Sequence, residues 1–538
     1  MKEDEIRYDR QLRLWGDEGQ HSIAQADICV FGSSALACEI LKSLVLAGIR
    51  SFLIVDSEVV TNPDLGSNFF IEKTDLMQPR AKIAELNPSV EGKFDLRSAE
   101  QYISQNSDSL SEFSVVIASN LLQRTAYKIN KYLFIKNIPF IYARSYGLVG
   151  FVRISVKEHT VTDCHDENPL PDLRIDEPFE ELASFSDEID LGSLKYDEHS
   201  HIPYLILYIK ALKVWREKQD QKHAFPDTYE KRKDFEQVYL SLRKPKAEGN
   251  LHDEENFSEG RAAIIRSLHK TCTPKKTQEL LEHPKAVDPD HSQFWIHVAA
   301  LRRFVLQHNK LPLSGQLPDM ISDTKTYVRL ASIFRQKAIC DAKEVYRNVC
   351  SILNEKGYSQ EFFKFNDCKQ FCKKASMIRV INGSLIESET NMEYPECLIE
   401  NIRNSNFSRH HISNVLCIPP VLWYLLIKAV DRFQMEKSRF PGTNGVPCII
   451  DSHDLKQRFS AILQSSQIID AAEVLEKVPE EVVSEMCRYG NAEIHVIAAF
   501  IGGIVAQEAI KLITHQYLPL NNMLIFDGHT QQGSIFSL

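Results

Sequence analysis

The stretch Asp27–Glu58, DICVFGSSALACEILKSLVLAGIRSFLIVDSE, constrains the fold more than any other part of the chain. A short apolar run, a glycine turn, an amphipathic segment closed by Gly48 and a second apolar run ending in Asp56 outline a βαβ unit. The spacing predicts a strand over Asp27–Phe31, a helix over Ala35–Ala47 and a strand over Phe52–Val55. Dinucleotide-binding turns of this kind need three glycines: one to bend, one to admit the pyrophosphate, one to let helix pack on strand. Here the three slots read Gly32, Ser34 and Ala37. Alanine is tolerable in the third slot. Serine in the second is expected to stand where phosphate oxygens would sit, and a left-handed backbone there would cost about 1 kcal/mol or more.

Neighbouring segments agree with an empty crevice. The loop after Asp56, SEVVTNPDLGSNFFIEKTD, offers no cation before Lys73, and the strand over Ser114–Ala118 ends in Ser119 and Asn120 rather than a magnesium-binding carboxylate. Asp56 itself remains able to accept a ribose hydroxyl, so a nucleotide-dependent enzyme using a distorted turn stands as the alternative reading.

Further strands over Pro139–Ala143 and Gly150–Val156 alternate with a helix over Arg124–Lys136, which predicts an α/β layer with a mainly parallel, doubly wound sheet. Ahead of it, Tyr8, Leu12 and Trp15 form one stripe of a short helix that Gly16 can end. After about Lys157 the texture changes. Asp172–His201 is acidic, interrupted by Pro178, and is expected to be an exposed connection. From Tyr204 the periodicity is helical, with Arg243–Gly260 read as a surface loop. The end, from Arg488 to Ile513, reads as one long helix followed by a strand in MLIFDGHT. Ala499, Gly502, Gly503 and Ala506 line that helix with small residues, and a glycine inside a helix costs on the order of 1 kcal/mol relative to alanine. Another backbone is therefore expected close by. Its apolar window carries His495, Gln507, Glu508 and Lys511, which suits a buried helix rather than a membrane span.

The net charge of −10 argues against general nucleic-acid binding. The charged start MKEDEIRYDR is not a signal peptide, and 12 cysteines without a CxxC pair suit cytoplasm or nucleus. Cys368 and Cys372 are expected to be two buried thiols on one helix face, and the cluster Asp163–Glu167 (DCHDE) a solvated loop rather than a metal or nucleophile site.

YDRQLRLWG at Tyr8–Gly16, RSYGLVGFVRI within Tyr142–Glu158, LPDMISD at Leu317–Asp323, AVDRF at Ala429–Phe433 and CRYGNAE at Cys487–Glu493, running on into AEIHVIAAFIGGIVAQEAIK, occur in that order. Together they resemble the ubiquitin-activating enzyme superfamily, and within it the regulatory subunits of heterodimeric neddylation-activating enzymes. The resemblance implies an α/β, Rossmann-like adenylation-type domain, pseudo-active, formed by residues 1–158 and 486–538. It also implies a mainly helical insertion over 159–485, like the half that bears the catalytic cysteine in relatives. It implies no cofactor bound by this chain, with ATP and magnesium held by the catalytic partner subunit, which also carries the thioester-forming cysteine and a zinc-binding pair of CxxC motifs. Partners so implied are the catalytic subunit, a ubiquitin-like modifier and the amyloid precursor protein tail, the last with peripheral membrane association or a scaffold role as an alternative function. Arg10 is implied to reach in trans toward the partner's ATP. The helix after LPDMISD, with Tyr327, Leu330, Phe334, Arg335, Lys337 and Asp341, is implied to face the catalytic subunit, although its apolar spacing equally suits core. Between Met77 and Val90 the chain is shorter than its relatives, which implies a truncated helix ahead of Pro88.

Overall fold

A computed structural model describes residues 6–71, 80–166, 170–220, 223–244, 254–386, 399–402, 408–409, 416–465 and 471–538. Two compact units result: residues 1–161 with 380–538, and residues 162–379. The expected boundary at 485 therefore falls inside the first unit, and segment 380–485 belongs with the sheet rather than with the helical insertion.

The first unit is built on eight strands: β1 Asp27–Phe31, β2 Ser51–Val55, β3 Glu91–Asp95, β4 Val115–Ser119, β5 Phe140–Tyr146, β6 Val149–Ser155, β7 Met523–Asp527 and β8 Gln532–Phe536. Their order is β8-β7-β6-β5-β4-β1-β2-β3. The five from β3 to β5 pair in parallel, and β6, β7 and β8 extend the sheet antiparallel. The strand order, running outward from β1 to β3 and then on the other side from β4, reverses at the β1/β4 junction, the switch point where α/β sheets open a crevice beyond the strand ends. Sequence periodicity misses β3, because EGKFD has no apolar run; it pairs with β2 in register from Ser51–Glu91 to Val55–Asp95.

Helices cover both faces. They are α1 Asp9–Ala24, α2 Ala35–Ala47, α3 Gln123–Lys136, α4 Pro420–Lys437, α5 Glu480–Tyr489 and α6 His495–Thr514. Side chains alternate across a strand. Ile28 and Val30 face the core shared with α2 and α6, while Cys29 and Phe31 face the core shared with α3 and α4. α4 is buried nearly all round, as a helix sandwiched in a large core must be. It is tied to the sheet by Asp431, which pairs with the guanidinium of Arg144 and accepts from the Gln123 amide at 3.0 Å. Both charges are buried, so removing one would cost about 3–5 kcal/mol.

α6 is long and apolar enough to cross a membrane by length and composition, and most of that stretch is buried against α2, β5 and β6. Its paired glycines divide the work. A Cβ on Gly502 would lie 2.8 Å from Glu39 Cβ, whereas one on Gly503 would meet nothing within 4 Å. α1 continues past Gly16, whose φ of +67° kinks it. The shortened segment yields a six-residue helix, Arg80–Glu85, and Met77 lies outside the described residues.

The second unit is mainly helical. Asp172–His201 is not merely an exposed connection: Leu173, Ile175, Leu182 and Phe185 enter its core. The polar stretch before Gly260 turns helical at Glu255, and Asn256 and Phe257 are buried. The longest helix, Thr324–Lys356, is capped by Asp323, which accepts from the Thr326 amide at 2.9 Å, and is ended by Gly357 in the left-handed region. Cys368 and Cys372 lie in the core beside it.

Candidate functional site: a crevice filled from within

At the switch point the glycine turn is intact where geometry demands it. Gly32 has φ of +98°, and a Cβ there would sit 2.5 Å from the Ser119 carbonyl oxygen. Ser34 carries no such strain. Its φ is −62°, its hydroxyl accepts from the Ala37 amide at 3.3 Å as the N-cap of α2, and it lies 3.0 Å from Ser119 Oγ. Only the left-handed backbone cost is removed: Ser34 caps a helix, as serine commonly does, and its side chain still stands in the crevice beside Ser119.

What fills the phosphate position is Glu493. Its Oε2 accepts from the Ala35 amide at 2.8 Å and its Oε1 from the Leu36 amide at 3.1 Å. These are the first two amides of α2, which no intrahelical carbonyl satisfies and toward which the helix dipole draws negative charge. Asn120 Nδ2 donates to Oε1 at 2.5 Å, while Asn120 Oδ1 accepts from the Ser145 amide at 2.8 Å. Asn120, with φ of +55°, thus orients a carboxylate. Burial pushes the carboxyl of Glu493 upward from its ordinary range, against the hydrogen bonds from Ala35, Leu36 and Asn120 that favour its charged form.

The residue reaches this place because the chain breaks. The expected single helix from Arg488 to Ile513 is two helices, α5 and α6, separated where Gly490 and Asn491 take φ of +50° and +68°. The Gly-Asn pair is an ordinary turn signal and was the available clue. The turn is held at its other side too: Gly147 donates to the Ala492 carbonyl at 2.9 Å, and Tyr489 stacks edge-on to Tyr146 and meets His529 Nε2 at 2.7 Å. Gly147 is obligatory, since a Cβ there would lie 2.2 Å from the Tyr489 ring. RSYG, AVDRF and CRYGNAE are therefore one assembly, joined through Arg144–Asp431 and Gly147–Ala492.

The second acid is occupied as well. Asp56 Oδ2 accepts from the Ser33 amide at 2.7 Å and from Ser33 Oγ at 2.6 Å, and Oδ1 accepts from the Glu58 amide at 2.9 Å. The group expected to be able to take a ribose hydroxyl thus also holds the turn, three hydrogen bonds falling on its two oxygens. Among the described residues no group of three or more His, Cys, Asp or Glu side chains is placed to hold a metal ion.

Arg10 lies in the first turn of α1 and is exposed, with no ion pair among the described residues. Arg13 beside it pairs with Asp9 at 2.9 Å. The opposite side of α1 is anchored: Asn87 Nδ2 donates to Tyr8 Oη at 3.0 Å, and Gln516 Nε2 donates to the Trp15 carbonyl at 2.9 Å. Arg10 is thus an exposed side chain on an anchored helix.

The residues expected to face a partner on Thr324–Lys356 divide. Leu330 and Phe334 are wholly buried in the second unit, Phe334 edge-on to Phe179, and Asp341 is buried, accepting from the Leu313 amide at 3.0 Å and pairing with Lys337 at 2.8 Å. These three are corrected to core. Tyr327 is half-buried with its hydroxyl 3.4 Å from the Pro318 carbonyl, Lys337 is half-buried, and Arg335 is exposed. In the DCHDE cluster, Asp163 and Cys164 are buried rather than solvated, and desolvation raises the Cys164 thiol above its ordinary range, which opposes a nucleophile role.

Comparison with known proteins agrees with this geometry. The chain matches the ThiF family over residues 8–538. It is similar to proteins named NEDD8-activating enzyme E1 regulatory subunit: 41% identical to that of Caenorhabditis elegans, covering 98% of each chain, and 34% identical to that of Danio rerio, covering 99% of this chain and 98% of the relative. It is 33% identical to the Arabidopsis thaliana protein named NEDD8-activating enzyme E1 regulatory subunit AXR1, covering 100% of this chain and 97% of that one. A Rossmann-like sheet with a modified glycine turn, matched from end to end by such relatives, places the chain in the ThiF family.

Proposed function

We propose that this chain is the regulatory, non-catalytic subunit of a heterodimeric activating enzyme for a ubiquitin-like modifier of the NEDD8 class. The observation that carries the reading is Glu493: a crevice of nucleotide-binding topology whose phosphate position is taken by the chain's own carboxylate. Such a chain serves a reaction performed elsewhere. In this reading the catalytic subunit holds ATP and magnesium, adenylates the modifier's C-terminus and carries the cysteine that forms the thioester. This chain binds no cofactor.

Its own chemical contribution is Arg10. An arginine supplied in trans stabilises negative charge developing on phosphate oxygens, because its planar donors match them and its charge is permanent. The exposed position of Arg10 on an anchored helix, with no ion pair among the described residues, supports that role. The exposed Arg335, with the half-buried Tyr327 and Lys337, contributes to the partner-facing side of the second unit. The complex works in cytoplasm and nucleus.

The test is reconstitution: catalytic subunit with and without this chain, scored by modifier-dependent ATP–pyrophosphate exchange. Exchange that needs this chain supports the assignment. Exchange equally fast in its absence overturns it and leaves a scaffold, for which binding to the amyloid precursor protein tail is the direct assay.

A further inference from the structure

Glu493 does more than decorate a turn. We propose that its carboxylate is a resident oxyanion, occupying a retained oxyanion cradle at the N-terminus of α2 and excluding nucleotides by occupancy rather than by loss of the site. The cradle has four parts. The Ala35 and Leu36 amides converge on the two carboxylate oxygens at 2.8 and 3.1 Å. Asn120, held in the left-handed region at the tip of β4, donates a third hydrogen bond at 2.5 Å. Gly32 brings the turn so near the Ser119 carbonyl that a Cβ there would lie 2.5 Å from its oxygen.

The fourth part is independent of the helix end. Ser145, 1% exposed, leaves its Oγ without a hydrogen-bond partner among the described residues. It is the last but one residue of β5 and shares a sheet face with Ile141 and Ala143, which pack in the α2/α6 core. Its hydroxyl is therefore directed into the same layer, at the crevice end of the strand, where buried hydroxyls ordinarily find partners. A spare buried donor on the residue whose amide holds Asn120 Oδ1 is what a site for an anion larger or differently shaped than one carboxylate would leave over.

The arrangement also joins distant parts of the chain. Residues 35 and 493 are 458 positions apart, and their contact closes the sheet-bearing unit across everything between them. The ligand class is a small oxyanion, and a carboxylate and a phosphate share the needed chemistry: several acceptor oxygens and negative charge at a helix N-terminus.

The test is chemical rescue of the full chain. Glu493→Ala is melted in sodium acetate, potassium phosphate, sodium pyrophosphate and sodium chloride, matched in ionic strength, beside the unmodified protein. The substitution is expected to lower the melting temperature by roughly 2–4 °C or more, with acetate, phosphate or pyrophosphate restoring at least half the loss and chloride none. The unmodified chain, whose cradle is full, measures the general stabilisation that kosmotropic salts give any fold, and the variant's rescue is scored as the gain beyond it. Acetate as effective as phosphate identifies a carboxylate-shaped cradle; phosphate or pyrophosphate outperforming acetate identifies retained phosphate geometry. A variant that responds no better to oxyanions than to chloride, or an unmodified chain that gains as much as the variant, overturns the proposal. If Glu493→Ala is recovered only unfolded, the same salts are compared by refolding yield from urea for variant and unmodified chain, and oxyanions must raise the variant's yield over chloride by more than they raise the unmodified chain's. The outcome does not depend on the partner subunit, so failure here and failure of reconstitution are separate results.

Discussion

Adjacent glycines in α6 offer a quantitative test of how that helix is used. Replacing glycine by alanine in a helix interior is worth about 0.8–1.0 kcal/mol in propensity. At Gly503, where an added Cβ meets nothing within 4 Å, Gly503→Ala should realise most of that gain. At Gly502 the same methyl would lie 2.8 Å from Glu39 Cβ, 3.2 Å from the Ile40 nitrogen and 3.3 Å from the Glu39 carbonyl carbon. Two of these are backbone atoms of α2 and the third is fixed to it, so α2 and α6 must separate. Overpacking of this sort costs about 1–3 kcal/mol. Set against the propensity gain, Gly502→Ala should be destabilising by up to about 2 kcal/mol, and the two variants should differ by about 1–3 kcal/mol. With a urea m-value of roughly 3 kcal/mol/M, their unfolding midpoints separate by about 0.3–1 M, Gly503→Ala above the unmodified chain and Gly502→Ala below it. Equal midpoints, or Gly502→Ala the more stable, would refute the claim that Gly502 exists to let α2 approach.

Two further outcomes are expected. Arg10→Ala should leave heterodimer formation intact while slowing ATP–pyrophosphate exchange, and an unchanged exchange rate would return Arg10 to an ordinary solvated position; a tenfold slowing corresponds to about 1.4 kcal/mol of lost transition-state stabilisation. His159, buried and stacked on His515 with ring centroids 4.8 Å apart, is held by desolvation to about 3, well below its ordinary 6.5. It is neutral in the folded chain, so its contribution is complete above about pH 7 and is lost as pH falls from 6.5 toward 3, at up to about 1.4 kcal/mol per pH unit. Between pH 7.5 and 5.0 the unmodified chain should therefore lose about 2 kcal/mol more than His159→Gln by urea denaturation, and equal losses would count against a neutral buried His159.

The βαβ unit was legible because its signals are local. Apolar runs fix β1 and β2, Gly32 and Gly48 mark the turns, and the run between them has the length of one helix, so Ala35–Ala47 falls where the pattern puts it. The same reasoning failed where the deciding contact is remote. Nothing around Ser34 says that residue 493 will arrive at its helix, and the Gly490–Asn491 turn is easily overridden by the apolar periodicity on either side of it. β3 was invisible because an edge strand need not be apolar; EGKFD is defined by its neighbour β2. The wrong boundary at 485 has a similar cause: helical periodicity shows that 420–437 is a helix but not which layer it joins. Its unbroken apolar run from Val421 to Ile427 was the clue that it packs in a large core. Leu330 and Phe334 show the reverse, since their three- and four-residue spacing was core spacing throughout.

The central claim is that this chain's crevice is closed to nucleotide by its own acids, and equilibrium binding of labelled ATP with magnesium to the isolated chain measures it most directly. With Glu493 on the α2 amides and Asp56 on Ser33, the account predicts no saturable binding up to millimolar ATP, a range set by ordinary weak-ligand affinities of roughly 1 mM. Saturable binding in the micromolar range, with the triphosphate competing for the Ala35 and Leu36 amides, would contradict it.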